Sequence, residues 1–81
     1  MYTKRMIETY GESLPDEKER NRFLELTAAI EFTRDGTREV CGGLAVAQAL
    51  EGSEVEHLAE DFGQNFFRFT EPEDLGMTAN E

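Results

Sequence analysis

Cys41 is the chain's one thiol and His57 its one imidazole, so nucleophilic or soft-metal chemistry would have to pass through these two side chains. A thiolate activated by histidine also needs a third group to orient the ring and donors for an oxyanion, and no segment marks either. Cys41, beside Val40 on an expected strand, therefore reads as a small core residue. His57 falls on a polar helix side one turn from Asp61, whose carboxylate would favour the charged imidazole. One cysteine cannot close an internal disulfide, and one Cys with one His falls short of a structural zinc site. Eighteen Asp and Glu always allow two carboxylates to be picked for glycosidase-type chemistry, so such pairing carries no information. Gly42-Gly43 lacks the following Lys-Ser/Thr of a phosphate loop. No enzymatic activity, cofactor or metal is expected.

The charge is more informative. The net charge is −10 over 81 residues, and it is lopsided. Residues 1–40 hold seven Lys or Arg against nine acids, whereas residues 41–81 hold nine acids against Arg68 alone. Such a second half repels nucleic acid and attracts cationic partners. The basic residues of the first half are interleaved with acids, as in Asp16-Glu17-Lys18-Glu19-Arg20, which reads as a solvated face and not as the cationic cluster that counterion release requires. Two Lys against six Arg among abundant acids is also the composition of adaptation to a saline cytoplasm.

A chain this short buries only about 60% of the surface its unfolded form exposes, so the core must be small. Six Phe and two Tyr can fill it. The longest apolar stretch, Leu44 to Val46 with Ala47 behind it, is far below the roughly 20 residues of a membrane span. Met1-Tyr2-Thr3-Lys4-Arg5 is not followed by an apolar block of signal-peptide length, so the expected compartment is the cytoplasm.

Seven glycines divide the chain into short segments. Tyr2, Met6, Ile7 and Tyr10 have the spacing of a short N-terminal helix. A helix over about 15–22 follows, with Ser13 or Leu14 at its cap and Pro15 in its first turn. Leu24, Leu26, Ala28, Ile30 and Phe32 then alternate with polar or small residues, a period-two pattern that predicts a strand over about 24–33. Thr33 to Thr37 reads as a three-residue hairpin loop with Gly36 in the left-handed position, leading to a strand over about 37–42 in which Val40 faces Ile30. Helices over about 44–51 and 53–62 complete the core, the second opened by a Ser53/Glu56 capping box and ended by Gly63. Phe66, Phe67 and Phe69 suit a third strand over about 65–70, and residues 71–81 read as an acidic tail. The expected fold is one small α+β domain. The rival is an all-α three-helix domain, which would place Gly42, Gly43 and Gly63 inside helices at roughly 1 kcal/mol each.

On the helix over 53–62, Glu54, Glu56, Glu60 and Asp61 lie opposite the apolar stripe of Val55, Leu58, Ala59 and Phe62. Carboxylates at i, i+4, such as Glu56 and Glu60, are about 5–6 Å apart, on the scale of spacing along a nucleic-acid backbone. No motif identifies a family. In its general look, a tiny acidic chain without catalytic residues, the sequence resembles phage- or mobile-element-encoded inhibitors, anti-CRISPR and DNA-mimic proteins among them. That resemblance implies a non-enzymatic inhibitor or regulator docking on a basic, nucleic-acid-binding surface of a partner protein, with neither nucleic acid nor membrane bound directly. The expected partner-binding residues are Glu54, Glu56, Glu60 and Asp61, joined by Glu71, Glu73 and Asp74, with Phe67 as an apolar anchor. The alternatives are a structural or assembly subunit that forms homo-oligomers through the hairpin edge or Phe67, and an immunity or antitoxin protein that neutralises a basic toxin.

Overall fold

A two-residue strand, β1 (Tyr2–Thr3), leads straight into helix α1 (Lys4–Glu12) in the computed structural model, which describes residues 1–65. Thr3 caps that helix. Its hydroxyl accepts the Met6 N–H at 3.0 Å while the Met6 sulfur accepts the Thr3 N–H at 3.4 Å, a reciprocal box with a thioether in the usual carboxylate's place. Met6, Ile7 and Tyr10 are buried along its inner face. Ser13 closes α1 instead of opening the next helix.

Helix α2 (Glu17–Thr27) is capped by Asp16, whose carboxylate accepts from Lys18 N–H at 2.8 Å and Glu19 N–H at 3.0 Å. This helix corrects two expectations. The cap is neither Ser13 nor Leu14, and residues 24–27 are its last turn, not the start of a strand. The alternation of Leu24, Leu26 and Ala28 is real, but Phe23 and Thr27 are the buried pair, four apart on one helical face. Thr27 donates its hydroxyl to the Phe23 carbonyl at 2.8 Å, so a polar group sits in the core without an unmet bond.

Extended structure resumes only at β2 (Thr33–Asp35), which pairs antiparallel with β3 (Arg38–Cys41). The connection is two residues, Gly36-Thr37, shorter than the expected loop. Gly36 has φ +66°, the positive value that a tight two-residue turn of the II′ kind needs at its first central position. Val40 accordingly faces Thr33, not Ile30. The other edge of β3 is filled by β1, with Tyr2 opposite Cys41 and Thr3 opposite Val40. The sheet order is β1-β3-β2. The expected third strand at 65–70 lies outside the described residues except for Asn65, which ends a helix.

Helix α3 (Gly43–Leu50) lies one residue earlier than expected, taking in Gly43 as its first residue with Gly42 as its cap, and is followed by Gly52 at φ +76°. Helix α4 (His57–Asn65) starts later than expected and runs through Gly63. Residues 53–56 form turns instead. Ser53 Oγ accepts from Val55 N–H at 3.2 Å and the Glu56 carboxylate from Gly52 N–H at 3.1 Å, so the anticipated capping pair acts one helical turn before α4. With four helices and a three-stranded antiparallel sheet among its described residues, the protein is a small α+β domain and not an all-α bundle.

Phe23, Leu50, Phe62, Val46 and Val55 are essentially inaccessible at the centre of the core. Tyr10 packs edge-on to Phe23 and Phe62 at centroid distances of 5.1 and 5.2 Å, and Tyr2 to Phe62 at 4.8 Å. Helices α1 and α2 meet at Gly11, where a Cβ would stand 2.7 Å from side-chain carbons of both Phe23 and Leu24. No described helix is long and apolar enough to cross a membrane.

Candidate functional site

The acidic residues divide into those the fold uses and those it leaves to solvent. Glu54, in the turn before α4, accepts Arg22 Nε at 2.6 Å, and the same guanidinium bonds Glu25 within α2. Its own backbone N–H and then Arg22 hold the Glu54 carboxyl below the usual carboxylate range, and the two carboxylates push Arg22 further up. Asp61 accepts the Tyr10 hydroxyl at 2.5 Å and Asn65 Nδ2 at 3.2 Å. Burial and this carboxylate raise the Tyr10 phenol far above its ordinary value. Two of the four expected helix-face acids are thus tied into the structure.

The other two are freer. Among the described residues Glu56 accepts the Gly52 N–H alone, and Glu60 accepts Gln64 Nε2 alone at 3.3 Å. Glu51, which sequence reasoning did not single out, lies close by at the end of α3. Glu51, Glu56 and Glu60 are exposed and have no cationic partner among the described residues. Within the described residues Lys4, Arg22 and Arg38 each bridge to an acid of their own half, Lys4 with Glu39 at 3.8 Å and Arg38 with Asp35 at 3.3 Å. Arg22–Glu54 is the one Lys or Arg bridge there to an acid of residues 41–65. Phe67, Glu71, Glu73 and Asp74 lie outside the described residues.

His57 pairs with Glu19 of α2, Nε2 to Oε2 at 3.2 Å, and not with Asp61. One turn along α4 proved a weaker guide than the neighbouring helix. Cys41 is buried on β3, where burial pushes its thiol up. Among the described residues no hydrogen bond joins Cys41 to His57, and a thiol pushed up by burial is the reverse of an activated one. Among the described residues no three His, Cys, Asp or Glu side chains gather into a metal-holding group.

An exposed apolar ridge on α3 is the feature missed in the sequence. Leu44 is 71% exposed, and Ala47 and Gln48 lie beside it. The groove between α3 and α4 is lined by Leu44, Ala47, Gln48, Glu51, Glu56 and Ala59. On the other flank, Leu26, Ala29 and Ile30 face Ala45 and Ala49, with Glu25 and Glu31 at the rim. The signal was available, because Gly43 to Leu50 is apolar on nearly every side while only Val46 and Leu50 are buried. The hairpin edge, by contrast, offers just Thr33, Arg34 and Asp35, a short charged strand that makes a poor template for pairing.

No protein-family model, curated protein or solved structure matches the chain.

Proposed function

We propose that the protein acts without catalysis, by docking its acidic side on a basic surface of a partner protein, as an inhibitor or regulator of a nucleic-acid-binding protein. The observation that carries this reading is the distribution of unneutralised charge. Residues 41–65 contain five acids and no Lys or Arg, and Glu51, Glu56 and Glu60 stand exposed without a cationic partner among the described residues. Fixed like charge on one side raises the encounter rate with a cationic surface and repels nucleic acid itself. Glu54 and Asp61 serve the fold first and the partner second, so the docking acids are Glu51, Glu56 and Glu60.

The test is affinity capture from host lysate at low and high salt, with identification of what is retained. Basic nucleic-acid-binding proteins released by salt are expected, and charge reversal at Glu56 and Glu60 should slow their association. Retention that salt does not weaken would reject the reading.

A further inference from the structure

Four surface grooves lined by described residues differ in charge. The grooves beside β1 and α1 mix the two signs, Lys4 with Glu8 and Glu12 in one and Lys4, Arg5 and Arg38 with Glu8 and Glu39 in the other. The two that flank α3 contain no cation; Glu25 and Glu31 rim one, and Glu51 and Glu56 the other. Between them runs the ridge of Leu44, Ala47 and Gln48, so an exposed leucine with an alanine and an amide beside it lies between two acidic borders. An occupant must bring apolar side chains to the ridge and positive charge to both sides of it. A helix with a narrow apolar stripe flanked by Lys or Arg has this distribution, and helix-in-groove recognition reads such stripes.

We propose that the α3 ridge with its two flanking grooves is the docking surface for a cationic amphipathic helical segment of a partner protein. Leu44 is the apolar anchor, and Glu31 and Glu51, which form no ion pair among the described residues, are the opposed rim charges. This rests on the acidic-docking reading and narrows it, from any basic surface to a segment with an apolar stripe.

The probe is a synthetic amphipathic helix of Leu and Lys, titrated into the isotope-labelled full chain and followed by amide shifts. Its counterpart with Glu replacing Lys is the control. Shifts should centre on residues 44–51 and on the facing residues 25–31 and 56–59. Leu44→Asp should weaken binding by about ten-fold or more, the loss of one buried anchor. Position 44 is exposed in the first turn of α3, where an acid suits the helix dipole, so the fold is not at risk. Glu31→Lys and Glu51→Lys should each weaken binding several-fold more than Glu12→Lys, the same charge change on α1.

Unchanged binding in Leu44→Asp, or equal losses in Glu12→Lys and Glu51→Lys, would overturn the ridge while leaving acidic attraction in place. Failure of the Lys peptide to bind wild type would overturn the ridge and leave the lysate capture to decide the broader reading. Ridge shifts that depend on protein concentration without peptide would assign the surface to a second copy. Ridge shifts caused by Phe67→Ser in the full chain would assign it to the chain's own C-terminal segment. Either result excludes the partner helix.

Discussion

Tyr10 joins packing and electrostatics in one side chain, with its ring between Phe23 and Phe62 and its hydroxyl on Asp61. The folded-state value lies above the ordinary 10.0, so the stability that this phenol contributes is fully present below pH 10.0 and is lost as pH rises beyond it. In an alkaline titration, tyrosinate absorbance from Tyr10 should therefore appear together with unfolding, and Tyr10→Phe should remove that coupled phase. The same substitution should cost about 1 kcal/mol at neutral pH, because Asp61 is exposed and water can replace the lost donor. Glu54 has the opposite sign. Its depressed carboxyl contributes stability above the ordinary carboxylate range, and that contribution is lost as pH falls through the lowered value. The melting-temperature difference between wild type and Glu54→Gln should thus be present at neutral pH and vanish in acid. Both bonds were invisible in the sequence, since Tyr10 and Asp61 are 51 residues apart and Arg22 and Glu54 are 32 apart.

At the level of elements, the close approach of α1 and α2 makes Gly11 the most sensitive backbone position. Alanine there gains about 1 kcal/mol of helix propensity, but its Cβ would stand 2.7 Å from Phe23 and Leu24 carbons, and overpacking of this kind costs about 1–3 kcal/mol. Gly11→Ala should lower stability in chemical denaturation, and a stabilised variant would mean that the helices part readily. Elements punctuated by local chemistry were legible, as at Gly36 and Gly52, whose positive φ values mark the hairpin turn and the end of α3. The stretch over 24–33 was not, because two periodicities coexist in it. Leu24, Leu26 and Ala28 follow the strand's period, whereas Phe23 and Thr27 follow the helix's, and the Asp16 cap upstream decides between them. Asp16→Ala should destabilise by about 1 kcal/mol and show as reduced helicity.

Across the whole molecule, a net charge of −10 on 81 residues opposes compaction. Screening should raise the melting temperature as salt increases to about 0.15 M, where the Debye length is about 8 Å, and little beyond it. A melting temperature that keeps climbing into molar salt would instead point to saline adaptation as the origin of the acidity. The lopsided charge could be read from composition alone, but its division into fold-bound and solvent-facing carboxylates could not. That division depends on which cation reaches which acid in three dimensions, and Arg22 reaches Glu54 only because α2 lies against the turn before α4.

The pairing of β1 with β3 bears on how the chain is made. Tyr2 and Thr3 leave the ribosome well before their strand partners, Cys41 and Val40. Strand β1 must wait, unpaired, while the hairpin behind it assembles. A bulky group attached next to Tyr2 would be carried through that delay to the edge of the sheet.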